Sequence, residues 1–114
     1  MQTLRRSECA VLHLVLKRRW YDMIESGGKR EEYRDYKPYW TKRINAWSMP
    51  PRNIGLNPQV VVFHLGYRKE PQMAWLVDYV TYNTKPAVAA HPEWGEPDTP
   101  RIAIHLLCRV ELED

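Results

Sequence analysis

The sequence predicts an α+β fold: a small, mixed, mostly antiparallel β-barrel, partly closed, with two short flanking helices. Three observations carry this. Residues 101–112 alternate cleanly, with Ile102, Ile104, Leu106, Cys108, Val110 and Leu112 between Arg101, His105, Arg109 and Glu111, the period of a strand. Two apolar runs, 60–65 and 73–82, are joined only by the polar turn Gly66–Pro71, so they form a hairpin. Two short stripes of helical period lie in the first half. Helices come early and strands late, and the short late connections favour antiparallel pairing. A chain of 114 residues is one domain by default and buries roughly 60–70% of its unfolded surface. That suffices for one core without staples.

The elements follow in order. Residues 1–9 are expected to be an N-terminal tail, and 10–114 the single domain. Ala10 to Leu16 reads as a strand, Leu12, Leu14 and Leu16 on one face and Val11, His13 and Val15 on the other. Apolar residues on both faces imply burial on both sides. Arg18 to Ser26 reads as a helix with Trp20, Met23 and Ile24 as its stripe, and Gly27 stands where a C-cap glycine belongs. Lys29 to Tyr36 is the next strand. Pro38 suits the first turn of a second helix, with Trp40, Ile44 and Trp47 on one face. Ser48 to Pro58, with three prolines, a glycine and two asparagines, is a loop. Residues 83–100 hold four prolines; loops of this length are usually functional or mobile.

Composition excludes several classes. No run of about 20 apolar residues occurs, so no membrane span is expected. Residues 1–8 carry basic side chains but no apolar signal core, and a cytoplasmic location is expected. Cys9 and Cys108 are widely spaced, as reduced structural thiols are. His13, His64 and His105 fall on three different strands. They can gather on a metal or be ordinary cross-strand residues, and periodicity does not make them face one another. No metal site and no cofactor is expected. Net charge is +3, unevenly spread: residues 1–58 hold 12 Lys/Arg against 6 Asp/Glu, and residues 59–114 hold 5 against 8. A basic half favours an anionic partner such as nucleic acid. No nucleophile elbow, Walker or dinucleotide-binding glycine motif is present.

The segment 26–34 is the densest candidate site. A Gly-Gly turn lets the backbone bend sharply, and Lys29, Arg30, Glu31, Glu32 and Arg34 follow it. On a strand, Arg30, Glu32 and Arg34 share a face and Glu31, Tyr33 and Asp35 the other. If the first face looks into a cleft, it can grip a phosphate or a base edge; if it looks outward, it makes only surface ion pairs. Lys29 is also the one lysine placed to act as nucleophile or general base, given burial. Trp94, beside Gly95 in the long loop, can lid a cleft, stack on a base or plug the barrel end.

Gly27-Gly28-Lys29-Arg30-Glu31-Glu32-Tyr33-Arg34 resembles the G-x-K-x-x-E-x-R signature of the ASCH domain, a family of the PUA-like superfamily. The similarity extends over about residues 10–112. Leu16-Lys17 ends the strand before a helix with Trp20, Met23 and Ile24; Phe63-His64-Leu65-Gly66-Tyr67 comes after the signature and Trp94-Gly95 before the last strand. The resemblance implies a PUA-like barrel with a cleft beside the signature, and an RNA- or nucleotide-binding module. It places Lys29, Glu32 and Arg34 on the cleft, with Lys17, Trp20, Tyr67 and Trp94 as further ligand-binding residues. RNA, a nucleotide or a nucleoside is the implied partner, and a monomer is expected. Some members resemble amidohydrolases of acetylated cytidine, and others are described as ribonucleases. On a hydrolase reading, Lys29 and Glu32 are catalytic. The amidohydrolases keep a threonine where this chain has Glu32, and their later glutamate has Asp78 as its nearest acidic counterpart.

Overall fold

The computed structural model describes residues 1–48, 57–67, 69–84 and 101–114. In chain order the elements are β1 Gln2–Arg5, a 3-10 turn Arg6–Glu8, β2 Ala10–Leu16, α1 Arg18–Glu25, β3 Glu31–Asp35, α2 Pro38–Ser48, β4 Gln59–Leu65, β5 Gln72–Thr84 and β6 Arg101–Glu113. Seven of these nine stand where the sequence places them, within two residues at each end named there. The other two, β1 and the 3-10 turn, do not. The stretch expected to be a tail carries β1, parallel to β6 with Gln2 beside Val110 and Arg5 beside Glu113. Only Leu4 of β1 is even half-buried, so backbone pairing rather than an apolar face holds it, and no periodicity announces it.

The strands form one mixed sheet in the order β1-β6-β5-β4-β2, with β3 also on β6. The β4–β5 hairpin, β5–β6 and β3–β6 are antiparallel, whereas β2–β4 and β1–β6 are parallel. β6 is long enough to serve two neighbours. Its first half takes β3 and its last residues take β1, while β5 runs along the other edge. The hydrogen-bond ladder does not close into a ring; β2 is one free edge. Among the described residues, no helix is long and apolar enough to cross a membrane.

The main core lies on the side covered by the helices. Leu12, Leu14 and Leu16 of β2, Val61, Phe63 and Leu65 of β4, and Ile102, Ile104 and Leu106 of β6 meet Ile24 and Ile44 there. A smaller cluster forms on the opposite face from Val60, Val62, Ala74 and Val110. Because β1 and β2 sit at opposite ends of the strand order, the chain between them crosses this face, with Leu4 and Cys9 packed on it. Cys9 and Cys108 are both free and half-buried; burial, reinforced by Glu8, pushes the Cys9 thiol up. The β2 reading needs correction: of its second face only Val11 packs, and His13 and Val15 are exposed.

Two bulges explain how one alternating strand feeds both clusters. β6 has an extra residue at Leu107, since Leu76 pairs with Cys108 but Val77 pairs with Leu106. β5 has one at Asp78, since Val77 pairs with Leu106 and Tyr79 with His105. An extra residue bends the strand and flips the facing of all that follows. Even positions of β6 therefore face the main core up to Leu106 and the smaller cluster from Cys108 onward. The Leu107 bulge is pinned from β3's side: Arg30 donates to the Leu107 carbonyl at 2.7 Å, and Leu106 N–H donates to the Arg30 carbonyl at 2.8 Å.

Candidate functional site

The end of α1 fixes where the signature segment begins. Gly27 adopts φ +84°, a conformation that glycine reaches without a Cβ penalty. Its N–H bonds the Ile24 carbonyl, and Lys29 N–H bonds the Met23 carbonyl, each at 3.0 Å. These satisfy carbonyls left over at a helix end and tie Lys29 to the last turn. The buried face of α1 runs through Tyr21 and Ile24; Ile24 of the expected stripe lies at its centre, while Trp20 and Met23 are half-buried beside it, packed on the main core and on Tyr33 and Ala103. That placement leaves Trp20 at the side of the helix, against Lys29.

Lys29 is 1% exposed. Its Nζ donates to Glu32 Oε1 at 3.4 Å, lies 4.3 Å from the Trp20 ring centroid and 5.3 Å from that of Tyr33. Glu32, on β3 opposite Ile104, is also buried. Its second oxygen accepts from Arg34 Nη2 at 2.8 Å. The same nitrogen donates to the Val15 carbonyl of β2 at 3.1 Å, and the Arg34 guanidinium lies 4.8 Å from the Trp40 ring. Arg34 Nε is buried and has no hydrogen-bond partner among the described residues. One carboxylate thus binds two cations below the surface, leaving a net positive floor. Taking such charges out of water costs several kcal/mol per ion, so they are held by a complete local geometry rather than by a salt bridge alone.

The site opens through a cavity of about 260 Å³ lined by Lys17, Trp20, Lys29, Glu32, Tyr33 and Arg34. A larger one of about 440 Å³ adjoins it, sharing Val15, Leu16, Lys17 and Arg34 as a wall and adding His13, Tyr39, Trp40, Arg43 and Tyr67. Of the residues named from the sequence, five (Lys17, Trp20, Lys29, Glu32 and Arg34) come together in the first cavity. Tyr67, 98% exposed, belongs to the second. Trp94 lies outside the described residues. Asp78 sits exposed at the β5 bulge and does not line the cleft. Arg30, expected on the face of Glu32 and Arg34, turns away to Leu107 and lies 5.4 Å from the Trp75 ring.

Periodicity hides the remaining members. Tyr33 has the opposite parity to Glu32, yet its ring reaches Lys29 because Lys29 lies in the turn, off the strand's alternation. Its hydroxyl donates to Glu31 Oε2. Glu31 Oε1 lies 3.1 Å from His105 Nδ1, and His105 Nε2 lies 3.2 Å from Thr81 Oγ1. With Nδ1–H donating to the carboxylate, Nε2 accepts the threonine proton. Tyr79 stacks on the imidazole at 4.0 Å between centroids. This relay ties β5, β6 and β3 together and holds Tyr33 in place beside Lys29.

The three strand histidines do not gather. His13 Nδ1 and His64 Nε2 are 2.9 Å apart, while His105 belongs to the relay with Thr81 and Glu31. No group of three metal-ligating side chains occurs among the described residues. Desolvation first, then His64, Arg6 and Arg43, push the His13 imidazole below its ordinary value. A folded value below the unfolded one means that the native state holds fewer protons, so stability rises with pH across the gap. The contribution of His13 is therefore complete above the ordinary imidazole value of about 6.5 and is lost as pH falls through the folded value. The ring is exposed at the cleft rim, so the slope is shallow. In His13→Gln, urea midpoints between pH 5 and 7 are expected to vary less with pH than in the parent; an unchanged slope rejects the assignment.

Comparison with known proteins gives no match: no family model, no curated protein and no solved structure matches this chain.

Proposed function

We propose that this chain is an ASCH-type, PUA-like module that binds single-stranded RNA or a nucleotide in the cleft over Lys29, Glu32 and Arg34. The observation that carries this is the buried Lys29–Glu32–Arg34 cluster, net positive, at the floor of an open groove rimmed by further cations and tyrosines. Lys17, Arg34 and Arg43 line the larger cavity with no carboxylate among its lining residues, the charge pattern that an anionic backbone neutralises. Barrel-like closure is part of the same reading. Arg34 spans from β3 to the Val15 carbonyl, and Arg43 of α2 donates to the His13 carbonyl. Side chains thereby take up the free edge of β2, where a ladder would otherwise stand.

Binding is favoured over hydrolysis by the state of the two candidate catalytic groups. Lys29 Nζ is engaged by Glu32, and each Glu32 oxygen faces a cation, an arrangement that suits a fixed charged floor better than a free nucleophile, while the remaining lysine donors and carboxylate lone pairs can still meet a ligand. The test is the affinity for a short single-stranded RNA across a salt series. With three groove cations engaged, the log–log slope is expected at about −2, from roughly −0.7 per phosphate on a single strand. No binding at low salt, or binding indifferent to salt, rejects the module. Turnover of acylated nucleosides that disappears in Lys29→Met returns the hydrolase reading.

A further inference from the structure

We infer that the cleft holds two consecutive nucleotides, so that its ligand is an oligonucleotide and not a free nucleoside or mononucleotide. This rests on the nucleic-acid reading above and adds a second subsite to it. The two cavities, about 260 and 440 Å³, lie just below and in the lower part of the roughly 300–1,000 Å³ range of small-molecule sites. Each therefore suits one compact unit, and they meet at a shared wall.

The chemistry of the two halves differs. The smaller cavity has the ionic floor of Lys29 and Glu32, groups that hydrogen-bond a polar edge. The larger has no carboxylate and presents Tyr39, 67% exposed, and Tyr67, 98% exposed. These tyrosines are the stacking surfaces. The neighbouring tryptophans are already flanked by cations: Trp20 by Arg19 and Lys29, Trp40 by Arg34 and Arg43. The shared wall carries Lys17 and Arg34. Among the described residues, Lys17 makes no ion pair and the buried Arg34 Nε has no hydrogen-bond partner. A phosphodiester seated there leaves one base edge over Lys29 and Glu32 and the next base against the tyrosines. Edge reading on one side and sequence-tolerant stacking on the other is the division of labour expected for a single strand.

Calorimetry with adenosine 5′-monophosphate and with the dinucleoside monophosphate ApA separates shape from charge. The monophosphate carries about −1.5 to −2 charges and ApA only one, so charge alone favours the mononucleotide. ApA is expected to bind at least about tenfold more tightly, the worth of one stacked base. Tyr39→Ala combined with Tyr67→Ala, both exposed and outside the core, is expected to bring that ratio close to one. A ratio of one in the parent protein, or a ratio that survives the double substitution, overturns the second subsite while leaving the module intact. If neither compound and no single-stranded RNA binds, the second subsite and the module both fall.

Discussion

Replacing Lys29 with alanine is expected to lower the free energy of unfolding by about 3–5 kcal/mol, a large share of the roughly 5–15 kcal/mol that holds a domain together. The substitution deletes a side chain with 1% exposure, opens a hole between the Trp20 and Tyr33 rings, and leaves Glu32 buried with one cation instead of two. Two further variants separate these causes. Lys29→Met fills the volume but not the charge, so it should cost less than alanine. Lys29→Met with Glu32→Gln removes the lone carboxylate while the amide oxygen can still accept from Arg34, so it should recover part of the loss. Urea denaturation with an unchanged slope reads all three as midpoint shifts. If Lys29→Ala lies within about 1 kcal/mol of the parent, the pair behaves as a surface ion pair and the buried-floor account fails. RNA affinity then asks a different question of the same proteins. The Met/Gln variant, though folded, keeps the floor's net charge on Arg34 but has lost the lysine donor and the carboxylate acceptor, so it should bind weakly if those groups meet the ligand.

The sequence makes much of this legible, and the reasons are local. Leu12, Leu14 and Leu16 alternate and sink into the core together. Ile44 and Trp47 recur at helical spacing and pack as one face. Gly27 follows α1 because the turn after that helix takes a positive φ that glycine adopts without a Cβ penalty. What stays hidden is whatever depends on a count of residues across two strands. The bulge at Leu107 leaves no mark on alternation, yet it decides which cluster Val110 joins, and the carbonyl there takes Arg30. β1 is invisible because a short polar strand on an edge needs no apolar pattern. At the cleft, Lys29, Glu32 and Arg34 all come from the one charge-dense segment behind the Gly-Gly turn, which is visible in the sequence. Trp40 reads as a core stripe, and only its place beneath Arg34 and Arg43 shows it to be part of the rim.

Arg34 is where fold and cleft depend on one side chain, and Arg34→Lys separates the two roles. A lysine keeps the charge but loses the planar fork, which here spans Glu32, the Val15 carbonyl and the face of Trp40. Losing charged hydrogen bonds of this kind is expected to cost about 1.5–3 kcal/mol. The loss falls on the seam between β3 and β2, which no ladder closes. Amide hydrogen exchange should therefore quicken in β2 and β3, with the β4–β5 hairpin unaffected. For RNA, Arg34→Lys should weaken binding while preserving the salt slope, because the number of phosphates neutralised is unchanged. Arg34→Ala should weaken it further and make the slope shallower by about 0.7. A lysine variant that binds as tightly as the parent would show that the cleft needs a charge at this position and not a fork. Equal slopes in the lysine and alanine variants would place the phosphate away from Arg34, on Lys17 and Arg43 instead.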